Sequence, residues 1–199
     1  GTTYSWQAPT STSGNVSGVS GSGDSFSTGT ISNITSTSAT LTYTVTPTVT
    51  STGCEGEDFT VTITVNPVPQ IDDSLNNAIC HNDSYTYSPV NGDDGVVPSG
   101  VTYSWEAPET TDSTVQGTSG TNQNEFTTGI IENDDLNVAA TLTYTVTPTI
   151  LATECQGDPF IVTIIVNPEP QIDDFTETIC EGDTFASITP ENDTNGVVP

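Results

Sequence analysis

The chain has 199 residues, of which 26 are Asp or Glu, one is histidine and none is lysine or arginine, giving a formal charge of −26. Such a surface cannot make an Asp/Glu–Lys/Arg salt bridge, and it lacks the basic side chains by which duplex nucleic acid and anionic membranes are held, so neither nucleic acid nor direct membrane insertion is expected. Hydrophobic residues make up only 32% of the chain, a region of composition where disorder is common, so a folded reading has to come from pattern.

Taken in chain order, the pattern is strand-like. TYSWQAP at residues 3–9 opens the chain, and ATLTYTVTPT at 39–48 alternates apolar residues with threonine. FTVTITV (59–65) sets Phe59, Val61, Ile63 and Val65 on one face and threonines on the other, a period of two. Prolines in NPVPQ (66–70) then stop a sheet ladder and stiffen the connector. SYTYS (84–88), VTYSW (101–105) and NEFTTGII (124–131) supply further strands, with Val101, Tyr103 and Trp105 inward. LTYTVT repeats with Leu142, Tyr144 and Val146 inward, followed by Phe160, Val162, Ile164 and Val166 in the phase of 59–65. After NPEPQ (167–171), a short strand is expected over 172–180. Outward threonine suits an exposed sheet face. No stretch has helical periodicity, and no apolar run reaches the roughly 18 residues of a transmembrane helix.

The chain repeats itself. TYSWQAP returns as TYSWEAP at 102–108, ATLTYTVTPT returns at 140–149, and CEGEDFTVTITVNPVPQIDD (54–73) returns as CQGDPFIVTIIVNPEPQIDD (155–174). GVVP at 95–98 forms the last four residues as well. With boundaries at the proline connectors, residues 1–67 read as the back of one repeat, 68–168 as a complete repeat and 169–199 as the front of a third, a window on a longer tandem array. Six or seven short strands in about 100 residues, with tryptophan on the third, predict tandem immunoglobulin-like antiparallel β-sandwiches, all-β in class. Trp6, Trp105, Tyr43 and Tyr144 are placed in the cores.

The unit ICxxD…TYSWxAP…GxG…ATLTYTVTPT…CxGxxFxVTxxVNPxPQI resembles the PKD-like, immunoglobulin-like repeats of large Bacteroidota surface proteins. That resemblance covers the whole chain. It implies giant secreted adhesins exported by the type IX secretion system, gliding-motility adhesins among them. The chain departs from ordinary PKD domains, whose third strand reads more like YxWDFG, because Trp105 is followed by Glu106-Ala107-Pro108.

Candidate chemistry is sparse. Cys54 and Cys155 correspond between copies, as do Cys80 and Cys180, and disulfides suit an oxidising, extracellular compartment. The simplest pairing is Cys80–Cys155 within a repeat, worth roughly 4 kcal/mol by loop closure. Because the first turn and last hairpin of a sandwich tend to lie at opposite ends, bridges between neighbouring domains, pairings across the connector (Cys54–Cys80, Cys155–Cys180) and free thiols stay open. Acidic residues cluster where strands end: Asp72 and Asp73, Asp93 and Asp94, Asp134 and Asp135, Asp173 and Asp174. Oxygen ligands in loops suit Ca²⁺, with Asp173 and Asp174 approaching 132–135 as a junction ion; the competing reading is a solvated acidic surface. No cofactor is required on either reading.

His81 beside Cys80 lacks the positioned base and orienting group of a catalytic pair. The serine-rich 18–29 stretch has neither partner histidine nor the strand–turn–helix setting of a nucleophile elbow. Asn15, Asn33, Asn82 and Asn192 open N-x-[ST] strings, and Asp73-Ser74-Leu75 and Asp112-Ser113-Thr114 are similar to a Bacteroidota O-glycosylation signal. The chain is expected to be no enzyme. The expected role is a structural repeat of a long extracellular, cell-surface filament or adhesin stalk supporting adhesion or gliding. Its partners would be neighbouring repeats and surface polysaccharide or another substratum. In that role junction stiffness is assigned to Pro168 and Pro170; the alternative is a carbohydrate- or protein-binding module using loops such as 109–123.

Overall fold

The computed structural model describes residues 1–72, 75–135, 137–187, 189–190 and 196–197. Strands are the only regular elements among the described residues. The first stretch carries β1 (Thr2–Trp6), β2 (Thr10–Ser11), β3 (Gly21–Gly23), β4 (Ala39–Val49) and β5 (Phe59–Val65). Next come β6 (Gln70–Ile71), β7 (Leu75–Cys80), β8 (Thr86–Tyr87), β9 (Gly95–Val96) and β10 (Val101–Trp105). The series continues with β11 (Glu109–Thr110), β12 (Gly120–Gln123), β13 (Phe126–Thr127) and β14 (Ala140–Ile150). It ends with β15 (Cys155–Gln156), β16 (Phe160–Asn167), β17 (Gln171–Ile172) and β18 (Gly196–Val197). The chain divides into two compact units: Gly1–Asp72 with Pro89–Thr102 and Pro148–Asp158, and Asp73–Ser88 with Tyr103–Thr147 and Pro159–Pro199.

In the first unit, alternation along β4 sends Ala39, Leu41, Tyr43 and Val45 inward, where Trp6 and Val16 join them. The sheet runs β2-β4-β1-β3, with β5 antiparallel to β4 along Ala39–Val45. Phe26 sits between two aromatic rings, its centroid 5.0 Å from Trp6 and 5.1 Å from Tyr43, both edge-on. Edge-to-face pairs of this kind add about 0.5–1.5 kcal/mol each beyond burial.

The second unit repeats that core. Its sheet runs β12-β10-β14-β16-β7. A second layer is formed by β8 and β13, extended by a bridge between Asp83 and Ile131. Side chains of the small layer close on the large one: Phe126 stands 5.0 Å from Trp105 and 5.0 Å from Tyr144, and Tyr87 6.2 Å from Phe160. These two layers make the immunoglobulin-like sandwich.

The all-β, immunoglobulin-like sandwich is as expected, with one pairing that is not antiparallel: β7 lies parallel to β16, from Leu75 opposite Val162 to Cys80 opposite Asn167. A repeat entered at one end and left at the other has its first and last strands pointing the same way, so when they are neighbours they pair in parallel. The strands expected over 84–88, 124–131 and 172–180 shrink to Thr86–Tyr87, Phe126–Thr127 and Gln171–Ile172. At Gly129 the backbone takes φ +67°, which ends the second of these. Phe59, expected to point inward, is 43% exposed, whereas its counterpart Phe160 is fully buried. Among the described residues β5 pairs only with β4, while β16 is flanked by β14 and β7.

The connectors recur in form. β6 pairs with β9 (Gln70 opposite Val96, Ile71 opposite Gly95), and β17 pairs with β18 in the same register (Gln171 opposite Val197, Ile172 opposite Gly196). Pro67, Pro69 and Ile71 are buried. A side chain on Gly157 would collide with the Pro69 carbonyl, so backbone packs directly on the connector there.

Candidate functional site

With no lysine or arginine available, several carboxylates take backbone N–H groups as partners. The Asp94 carboxylate accepts from the Val90 N–H at 2.7 Å, and Asp135 from the Asn137 and Val138 N–H groups at 2.9 and 3.1 Å. Asp112 accepts from the Thr114 N–H at 2.8 Å and its hydroxyl at 2.7 Å, and the backbone bond leads in holding its pKa below the ordinary value of 3.8. In the ICxxD turn the Cys80 N–H donates to Asp83 at 3.4 Å, and in the next copy the Cys180 N–H donates to Asp183 at 3.1 Å.

The proposed calcium ligands are distributed as follows. The Asp72 N–H donates to the Asp94 carbonyl at 3.1 Å. Asp93, Asp134, Asp173 and Asp174 are exposed and Asp135 half-buried, and Asp73 lies outside the described residues. Among the described residues no group of three or more His, Cys, Asp or Glu side chains is arranged to hold a metal ion. Asp134 shares a cavity of about 190 Å³ with His81, Glu169 and Gln171, and neither Asp173 nor Asp174 lines it.

His81 has a structural task. Its Nδ1 lies 3.0 Å from both the N–H and the carbonyl of Asn133, accepting from the N–H when unprotonated and donating to the carbonyl when it carries the proton, so the ring is held against Asn133 in either tautomer. Asn133 is itself buried, and its side-chain amide donates to the carbonyls of Val138 at 3.0 Å and Val166 at 2.9 Å. Asn33 repeats the clamp on Thr37 at 2.9 Å and Val65 at 2.8 Å. Sequence reading missed this pair; the signal was an asparagine two residues after isoleucine in both copies, just before the long strand. Asn192, which opens an N-x-[ST] string, lies outside the described residues, as do Asp73 and Ser74 of the first O-glycosylation string.

All four cysteines are free thiols, Cys155 half-buried and Cys54, Cys80 and Cys180 exposed. The Cys80–Cys155 bridge is ruled out by register. Cys155 pairs with Ile150 at one end of β14, while Cys80 follows Ile79, which stands opposite Val166 and hence beside Ala140 at the other. At about 3.3 Å per residue the strand between them spans roughly 30 Å, against about 7 Å allowed between bridged Cα atoms.

Trp6 and Trp105 are 7% and 5% exposed, and Tyr43 and Tyr144 are fully buried, so these rings offer no face to a sugar. Glycines explain the fit. A side chain on Gly21 or Gly120 would run into the indole of Trp6 or Trp105, and one on Gly18 or Gly117 into the hydroxyl of Tyr43 or Tyr144. Burial pushes the Tyr144 phenol up to about 12. An open groove of about 530 Å³ in the second unit is lined by Ser104, Trp105, Glu106, Glu109, Thr143, Thr145 and Thr147, among others. It holds carboxylates and hydroxyls without a base–nucleophile pair.

Two sandwich cores built alike, joined to connectors built alike, define a β-sandwich repeat. A family model described as a PKD-like domain matches residues 1–69 and 77–170, and the chain belongs to that PKD-like family. No curated protein matches it. No helix among the described residues is long and apolar enough to cross a membrane.

Proposed function

We propose that the chain is a non-catalytic, load-bearing stretch of tandem repeats in a long extracellular, cell-surface filament or adhesin stalk, with residues 68–168 as one whole repeat between the pieces 1–67 and 169–199. The observation that carries this reading is the parallel pairing of β7 with β16. Tension pulls β7 towards its N-terminal end and β16 towards its C-terminal end. Load therefore falls on their hydrogen bonds in shear, where all the rungs must yield together, instead of one after another as in unzipping. PKD-like domains are generally non-catalytic and typically extracellular, which agrees with a stalk. Adhesion to a substratum, gliding and export by type IX secretion belong to the same proposal, as do neighbouring repeats as the immediate partners.

Single-molecule pulling tests it. The His81 N–H donates to the Asn167 carbonyl at 2.9 Å, whereas the Ala78 N–H turns to the Asn77 side chain. Alternation then puts the Asn77 N–H on the β16 side, where Asn77→Pro deletes it at an exposed position. The wild-type second unit should show a distinct high-force unfolding peak, lowered in N77P. Unfolding without such a peak, or at equal force in both proteins, sinks the stalk reading.

A second reading, a saccharide-binding module, draws on the groove lined by Thr143, Thr145, Thr147, Glu106 and Glu109. Retention of the chain on a glycan array, abolished by Glu109→Gln, would favour it.

A further inference from the structure

We infer that residues 36–38 and Pro67 form an uncharged docking face for one end of the following repeat, residues 91–99 and 150–153, so that consecutive repeats meet through a built interface and do not swing on a proline linker. This rests on 1–67 and 68–168 being separate repeats, as proposed above, and not on their bearing load. The compact unit that holds Gly1–Asp72 is not closed by the first repeat alone. It takes in Pro89–Thr102 and Pro148–Asp158, two stretches that belong by sequence to the complete repeat. Their attachment is specific. The Asn91 amide donates to the Ser36 hydroxyl at 3.3 Å, while its side-chain carbonyl accepts from the Val97 N–H at 2.9 Å. One side chain thus ties the loop to itself and to the preceding repeat. The other hydrogen bonds described for 90–97 stay within the loop or reach 70–72, as where the Asp72 N–H donates to Asp94. The loop is therefore held at the connector and at Ser36.

The two faces also agree in chemistry. A cavity of about 300 Å³ between them is walled by Ser36, Thr37 and Pro67 from the first repeat and by Pro98, Ile150 and Ala152 from the second, among others. Pro67, Pro98 and Ile150 are buried. In a chain with 26 carboxylates, no side chain lining this cavity is charged. Carboxylates on both walls would repel at close range, with no lysine or arginine to offset them, so the uncharged lining is what lets the two ends approach. Beside the cavity the packing reaches the backbone: Pro69 is buried, and a side chain on Gly157 would collide with its carbonyl. The connector draws its stiffness from these contacts as well as from its prolines.

A double-mutant cycle across the junction of the full chain tests this. Thr37 and Ala152 are exposed, so each substitution is tolerated by its own repeat, which unchanged near-UV spectra of the single variants verify. At low ionic strength the two pairs should couple with opposite sign. Thr37→Asp with Ala152→Asp lowers the melting temperature by more than the single variants add up to, and Thr37→Lys with Ala152→Asp by less. Added salt should weaken both couplings. In the wild type, amide relaxation over 66–72 and 89–98 should give order parameters close to the rigid-backbone value of about 0.85. Additive effects in both pairs, or order parameters under about 0.6 across 66–72, overturn the interface. Coupling that persists in a chain showing no high-force unfolding peak would remove the load-bearing reading and keep this one.

Discussion

Tyr144 shows how far single residues are committed to packing. Its hydroxyl is buried without a hydrogen-bond partner, like that of Tyr43 in the other copy, and it lies where a side chain on Gly117 would fall, against Pro108. An unmet buried hydroxyl costs about 1–3 kcal/mol, while deleting one oxygen leaves a void too small to lose as much. Tyr144→Phe should therefore leave thermal stability unchanged or raise it; a loss above about 1.5 kcal/mol would reveal a partner for the hydroxyl. The same burial makes a pH prediction. With its pKa raised from 10.0 to about 12, the folded phenol keeps its proton where the unfolded one has lost it. Its contribution is whole below pH 10 and falls away as pH climbs towards 12. Chemical denaturation between those values should lose up to about 3 kcal/mol more in wild type than in Y144F; equal losses would show that Tyr144 ionises freely in the fold.

At the scale of elements, period-two alternation was enough to find β4, β5, β10, β14 and β16, because each buries one face and the pattern records that. It could not reveal that β7 lies parallel beside β16, since LNNAIC has no strong alternation and its place is set by long-range topology. Nor could it separate Phe59 from Phe160, which share a local sequence pattern and differ in whether another strand lies alongside. Acidic residues at strand ends read as metal ligands, but the backbone N–H groups of their own turns take up two of them, Asp94 and Asp135. Two positions with clear sequence signals went unread: the Asn33/Asn133 clamp, and the glycines that make room for tryptophan and tyrosine. The connector offers a test of an element as a unit. Gly95 has φ +102°, and a side chain there would strike the Gln70 carbonyl, so Gly95→Ala should break the β6–β9 pair at a cost of about 1–3 kcal/mol. Because the chain has no lysine or arginine, trypsin cannot report the change; a protease specific for acidic residues should cut at Asp72 or Asp94 faster in G95A. Unchanged cutting would show that the connector holds without that pairing.

For the whole molecule the governing quantity is charge without counter-charge. The −26 is spread over both copies, and self-repulsion of this kind weakens a compact state. Two opposing effects set the response to acid. Protonation towards the sequence pI of about 4.1 relieves repulsion, while carboxylates that cap turns lose their grip. Asp112 decides the order. Its pKa lies below 3.8, so its cap is whole above the ordinary carboxylate value and lost only as pH falls through the lower one. Stability at low ionic strength should then rise as pH drops from neutral towards 5 and fall below 4; a monotonic decline from pH 7 would mean that lost caps outweigh repulsion from the start. Salt removes the same repulsion at constant pH, because the screening length falls to about 8 Å at 0.15 M, so the melting temperature should climb with ionic strength and the acid maximum should flatten. Divalent cations separate screening from coordination. If the acidic turns are satisfied by their own backbone, Ca²⁺ and Mg²⁺ at equal ionic strength raise the melting temperature equally. A rise specific to Ca²⁺, reversed by chelator, would require the exposed Asp93, Asp134, Asp173 and Asp174 to gather around an ion.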